Sequence, residues 1–229
     1  MSENKLFWKE YNEKLIILEK EILDFNNTNE FNFIEDSFYP HVRDLSALVI
    51  TNLANSNKHP YLRVLDYGSN TLSIANLKNK IPTQEIEYVI YDPFNSNYSK
   101  NRDLDFIDYY FVSDNKELDK QHFDLSIFGS SIQYIPEVFD IFGKSYITNS
   151  SQILFTHTPL CIDEELILKQ HSSFTGNQKL YSYKELKDFF QEKDFDLIFK
   201  SALPTKYSAV EKKYLDKVVY INLLFSKRV

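Results

Sequence analysis

The chain has 229 residues and one cysteine, Cys161, which rules out an intrachain disulfide and suits one large domain or a domain with an added subdomain. Its formal charge of −7, from 26 basic and 33 acidic residues, works against a nucleic-acid phosphate backbone as partner. No apolar run reaches the roughly 18 residues of a membrane span, and the polar start MSENKLFWKEYNEK argues against a secretory leader, so a reducing cytoplasm is the expected setting.

Over residues 4–25, apolar side chains fall at Phe7, Tyr11, Leu15, Leu18, Ile22 and Phe25, three or four apart as on one face of a helix. That face packs on the core or forms a homodimer contact. A second helical pattern covers 42–53, and the turn-rich NSNKHP closes a helical lead over residues 1–60. The pattern then changes to short apolar runs at 61–67 (YLRVLDY), 86–91 (IEYVIY), 107–112 (IDYYFV), 123–128 (FDLSIF) and 152–155 (QILF). Helix-compatible stretches at 72–80, 138–145 and 183–192 alternate with them, which calls for a mostly parallel sheet covered on both faces. A strand at 196–202 and another at 217–226 (KVVYINLLFS) follow, with about fourteen residues between them, too few for a crossover helix. This order resembles the class I methyltransferase sheet. It is an α/β, Rossmann-like fold of seven strands with an antiparallel last strand over residues 61–229, with N-terminal helices before it.

Open α/β sheets bind ligands beyond the carboxyl ends of their strands. The first such loop holds Asp66, Tyr67, Gly68, Ser69 and Asn70. Gly68 is expected to let the backbone approach a ligand, and Ser69 or Thr71 to cap the following helix. A dinucleotide fingerprint wants G-x-G-x-x-G; one close approach suffices for S-adenosylmethionine, which has no pyrophosphate. A capped strand–helix turn is the plain alternative. Asp92, followed by Pro93, lies 24 residues after Gly68, near the roughly 20-residue offset at which an acid accepts from both ribose hydroxyls. Asp114 is placed to accept from an adenine amino group, with Asn115 as its competitor. After the fourth run come Gly129, Ser130 and Ser131, where Gly129 is expected to relax the backbone. Ser131, Gln133 and Tyr134 are expected to face the donor or the acceptor.

The segments FDLSIFGSSIQYIPEVFDIF, QILFTHTPL, LILKQHSSF and YSYKELKDFF resemble the methyltransferases encoded in bacterial surface-polysaccharide gene clusters, over about residues 62–202. That family carries an S-x-x-L-Q-Y-[IL] segment after strand four, R-T-P at the end of strand five and a Q after it in a short β segment. This chain has Ile132-Gln133-Tyr134-Ile135 and, in place of the arginine, His157 before Thr158 and Pro159. The family also has several glycines after its first acid, where this chain has one. The resemblance implies methyl transfer from S-adenosylmethionine to a sugar, sugar nucleotide or sugar-linked group, with S-adenosylhomocysteine as product and no metal. Gln133, Tyr134 and Thr158 are the expected acceptor contacts.

Transfer to a hydroxyl benefits from a base, and histidine titrates near neutrality. Of five histidines, His157 comes first because it follows the fifth run at the carboxyl edge. His171 is second, and His41 reaches in from the N-terminal lead. No Cys/His pair has zinc-ligand spacing, and G-x-S-x-G is absent. Two other classes compete: a donor-binding pseudoenzyme serving as partner or scaffold subunit, suggested by the depleted glycines, and an NAD-dependent oxidoreductase, disfavoured by the missing fingerprint.

Overall fold

The computed structural model describes residues 20, 40–56, 61–78, 80–81, 85–93, 104, 106–169, 177–203 and 216–228. Helix α1 (Pro40–Ser56) leads into strand β1 (Tyr61–Tyr67), α2 (Thr71–Leu77), β2 (Glu85–Tyr91), β3 (Asp108–Val112) and β4 (Leu125–Gly129). Helices α3 (Val138–Phe142) and α4 (Ser145–Thr148) precede β5 (Gln152–Cys161), and β6 (Leu166–Lys169) and β7 (Asn177–Leu180) form a separate hairpin. Helix α5 (Tyr183–Glu192), β8 (Phe195–Leu203) and β9 (Val218–Lys227) complete the order. The main sheet has seven strands in the order β3-β2-β1-β4-β5-β9-β8, with β1 to β5 parallel and β9 antiparallel to both β5 and β8. This is the sheet expected from the sequence.

Strand alternation divides the apolar residues between the two faces. In β1, Leu62 and Val64 join the cluster built on α1 and α2, with Ile50, Leu53, Leu72 and Ile74. Leu65 and Tyr67 join the opposite cluster, which α3, α4 and α5 cover. The second cluster is rich in aromatics: Phe155 packs against Phe128 at 5.3 Å between ring centroids, Phe142 at 5.6 Å, Phe190 at 5.7 Å and Phe225 at 6.0 Å. Helix α5 starts at Ser182, whose hydroxyl accepts from the Glu185 amide at 3.4 Å, an S-x-x-E arrangement that satisfies an otherwise orphaned donor. It buries Leu186 and Phe190. At the amino edge of the sheet, Arg63 pairs with Glu87 at 2.8 Å and donates to the His122 carbonyl at 2.9 Å, which places His122 away from the carboxyl edge.

Three details differ from the sequence expectation. The fifth strand continues to Cys161 through a bulge between Phe155 and Thr158, because β9 keeps pairing with it after β4 has ended. The helical stretch at 138–145 is two short helices parted by Gly143 and Lys144. The β6–β7 hairpin lies where no strand pair was expected. The amphipathic stretch at 4–25, with its dimer alternative, lies outside the described residues apart from residue 20, and so does His171. Among the described residues no helix is long and apolar enough to cross a membrane.

Phe155→Ala empties the middle of the aromatic cluster, where the four rings around it come from four different elements and cannot collapse together. It is expected to lower the unfolding free energy by about 3–5 kcal/mol. A denaturant titration checks this through a lower midpoint at unchanged slope.

Candidate functional site

The carboxyl edge of the parallel strands gathers most of the residues singled out from the sequence. β1 ends at Tyr67, and Gly68 turns the chain in the left-handed region at φ 74°. Its amide donates to the Tyr91 carbonyl at 2.8 Å. A Cβ on Gly68 would lie 2.7 Å from Ser131 Cβ, and Ser131 Oγ donates to the Tyr67 carbonyl at 2.8 Å. A close approach that needs a glycine here is thus one between two loops of the protein. The cap of α2 is Asn70, whose Oδ1 accepts from the Leu72 amide at 2.9 Å, and not Ser69 or Thr71. Ser69 instead shares a hydrogen bond with Ser73 at 2.6 Å, and Thr71 is buried in the first turn. Asp66 is buried, with Oδ2 accepting from the Tyr88 hydroxyl at 2.8 Å on the α1–α2 side of the sheet.

Asp92 follows β2 directly and is half-buried, its amide donating to the Val112 carbonyl at 3.0 Å; Pro93 beside it is exposed. Asp114 is exposed and caps its own 3-10 turn (Asn115–Glu117), accepting from the Lys116 amide at 2.9 Å. Its neighbour Asn115 has the tighter surroundings. Asn115 Oδ1 accepts from the Tyr67 hydroxyl at 3.0 Å and from the Tyr146 hydroxyl at 3.3 Å. Tyr67 stacks on Tyr91 at 4.3 Å. Burial pushes the pKa of all three tyrosines up, so they stay neutral and hold the ends of β1, β2 and β3 together as uncharged hydrogen-bonding rings.

After β4, the backbone relaxation expected at Gly129 falls one residue later. Ser130 takes the left-handed conformation, at φ 52°, and its amide donates to the Thr156 carbonyl at 3.0 Å. Gln133, in the 3-10 turn Ile132–Tyr134, is buried, and its Nε2 donates to the Ser130 carbonyl at 2.8 Å. Its Oε1 is buried and accepts no hydrogen bond among the described residues. A buried carbonyl in that state costs about 1–3 kcal/mol, a debt that a ligand's N–H or O–H would cancel. Tyr134 is half-buried next to it.

His157 sits in the β5 bulge, also left-handed, at φ 47°. Its amide donates to Asn222 Oδ1 at 2.8 Å, and its ring stacks on Tyr220 at 3.9 Å with an interplanar angle of 18°. Burial lowers the pKa of its imidazole, so the ring is neutral at pH 7. Thr158, expected to touch the acceptor, is fully buried, and its hydroxyl lies against the carbonyls of Thr156 (3.2 Å) and Phe128 (3.5 Å). His41 lies in the first turn of α1. Asn222, Tyr220, Tyr91 and Tyr146 are the residues that sequence reasoning missed. Asn222 had a usable signal, as the one amide within the apolar run VVYINLLF. Among the described residues no group of three or more His, Cys, Asp or Glu is placed to hold a metal ion.

No protein-family model and no curated protein matches the chain. Solved structures do. The N-terminal domain of EvdMO1, crystallised in the presence of SAH and D-fucose, superposes with a TM-score of 0.54 at 12% identity, over 92% of this chain and 96% of that one. The glycopeptide N-methyltransferase MtfA, complexed with (S)-adenosyl-L-methionine, superposes with a TM-score of 0.52 at 12% identity, over 84% of this chain and 96% of that one. With its strand order and antiparallel β9, the chain has the class I methyltransferase fold.

Proposed function

We propose that the chain is an S-adenosylmethionine-dependent O-methyltransferase acting on a sugar, sugar nucleotide or sugar-linked group, in the cytoplasmic assembly of a surface polysaccharide. The observation that carries this reading is His157: a neutral imidazole, held left-handed in a strand bulge at the carboxyl edge of the sheet. Strained residues of this kind cost about 1–3 kcal/mol and collect at functional sites. The D-fucose present with EvdMO1 supports a sugar acceptor, and the polysaccharide setting rests on the resemblance of residues 62–202.

The residues present fit the donor. Asp92 offers a half-buried carboxylate for the two ribose hydroxyls, and Gln133 Oε1 offers a fixed acceptor for a donor group of either ligand. When bound, S-adenosylmethionine supplies a sulfonium methyl group for in-line displacement. The chain then has three tasks. Asp92 and the Gly68 loop orient the nucleoside. Gln133 and Tyr134 orient the acceptor. His157 takes the proton from the acceptor hydroxyl as its oxygen bonds to the methyl carbon, a role worth roughly 10²–10⁴ in rate.

A second reading, the donor-binding pseudoenzyme, draws on the Ser131 side chain that fills the space beside Gly68. Calorimetry with S-adenosylhomocysteine, with NAD as control, tests the first step. Micromolar binding of the former alone is expected; binding of NAD alone would move the chain to the oxidoreductases. Asp92→Ala is expected to weaken S-adenosylhomocysteine binding about ten- to a hundredfold, the loss of a hydrogen bond to a charged group of roughly 1.5–3 kcal/mol. Unchanged affinity would remove the ribose assignment.

Turnover is read with methyl-labelled S-adenosylmethionine against a panel of sugar nucleotides. His157→Gln is expected to cut the rate about a hundredfold or more with donor affinity unchanged. A base must be neutral to act, and burial lowers the His157 pKa below the ordinary value of about 6.5. The wild-type rate is therefore expected to fall on the acid side with its midpoint below pH 6.5. A fall centred at or above pH 6.5 would exclude His157 as the base.

A further inference from the structure

The bulge in β5 puts two residues, Thr156 and His157, opposite one residue of β9. The register runs Phe155↔Leu223 on one side and Thr158↔Ile221 on the other, which leaves Asn222 facing the pair. An extra residue in a ladder has no main-chain partner for its amide, and a buried amide left so is costly. Asn222 supplies the partner from its side chain, at 2.8 Å. A backbone N–H only donates, so the atom facing His157 must be the amide oxygen. The amide nitrogen then points the other way and donates to Ser201 Oγ at 3.1 Å, across the β8–β9 ladder where Ser201 pairs with Asn222. Both ends of the Asn222 side chain are fixed, and the side chain is buried.

The ring of His157 is held separately. Tyr220, two residues before Asn222 and so on the same face of β9, stacks against it at 3.9 Å. Tyr220 is itself packed against the cluster of Cys161, Leu168, Leu180 and Val218 under the β6–β7 hairpin. Backbone and ring of one strained residue are thus gripped from one neighbouring strand by two side chains, neither of which is part of the donor loops.

We propose that Asn222 and Tyr220 are positioning residues for His157: Asn222 holds the bulge amide and Tyr220 holds the ring, so that the imidazole meets the acceptor hydroxyl in a set orientation. This rests on the reading of His157 as the base. It assigns a catalytic part to β9. A purely structural Asn222 would stabilise the sheet and leave the state of the imidazole alone.

The test is NMR of the protein with labelled histidine, the His157 signal being assigned by its loss in His157→Gln. In the wild type the His157 ring proton is expected upfield, from the ring current of Tyr220, and titrating below the ordinary histidine value. In Asn222→Ala the upfield displacement is expected to disappear and the titration to move up toward about 6.5. Asn222→Asp keeps an oxygen for the bulge amide and is expected to restore the upfield position. Tyr220→Phe keeps the stack and the signature, whereas Tyr220→Leu loses the upfield position. Should Asn222→Ala fail to fold, Ser201→Ala and Tyr220→Leu carry the same test by removing the outer anchor and the platform. An upfield position and titration unchanged in the folded variants would overturn the proposal. Calorimetry with S-adenosylhomocysteine runs on the same proteins. A wild type that does not bind it defeats the methyltransferase reading, whereas unchanged NMR signatures beside intact binding defeat the clamp alone.

Discussion

β5 outlasts its parallel neighbour. β4 pairs with it from Gln152 to Thr156, while β9 follows it from Gln152 to Cys161. Beyond Thr156 the ladder with β4 has ended while the ladder with β9 continues, and this imbalance is what the carboxyl edge is built around. The extra residue of the bulge falls where β4 has just stopped, and the ring it redirects is buried against Tyr220. The continuation to Cys161 then reaches the β6–β7 hairpin region, where the Cys161 amide donates to the Tyr181 carbonyl at 2.9 Å. Shortening β5 to the length of β4 would remove the bulge, the conformation of His157 and the support under Tyr220 together.

The half of the edge formed by β1, β2 and β3 obeys a different constraint: its first loop has one glycine, and side chains hold it in place. The space beside Gly68 is taken by Ser131, whose hydroxyl also ties down the Tyr67 carbonyl. Beneath the loop, Tyr67, Tyr91 and Tyr146 converge with Asn115 in a neutral polar cluster. A loop fixed by side chains on both flanks needs less conformational licence than one that wraps a ligand by backbone alone. The same fixing limits how far the loop adjusts, which is why Asp92 carries more of the proposed donor reading than Gly68 does.

Much of this was legible in the sequence because strand and helix periodicities are local. The runs ending at Tyr67, Tyr91 and Val112 stop where their strands stop, and 183–192 is the helix it looked like. The short link before KVVYINLLFS dictated an antiparallel return on distance alone. What escaped depends on register between distant segments. Nothing near Gly129 says that Ser130 takes the left-handed turn, since that follows from its amide meeting Thr156 across the sheet. Asp114 and Asn115 looked interchangeable in the sequence, whereas in the fold two tyrosines from β1 and α4 donate to Asn115 and Asp114 accepts from the Lys116 amide. Asn222 stands 65 residues from His157, and only a bulge count in β5 makes it a partner. The cap at Asn70 was missed for a smaller reason: Ser69, Asn70 and Thr71 are all competent caps, and the choice rests on a single residue of phase in the turn.

The two halves of the edge meet at the turn after β4. Ser131 bonds back to the β1 loop, Ser130 bonds forward to Thr156 next to the bulge, and Gln133 holds Ser130 from behind. Any displacement of the β1 loop must therefore pass through two adjacent residues before it reaches His157. The methyl transfer proposed for this chain needs two ligands closely aligned, and a seam tied at both ends would serve that alignment. The unsatisfied oxygen of Gln133 lies on this seam. A group that donates to it would stabilise the turn to which both halves are tied, and so would stiffen both halves of the edge in one step.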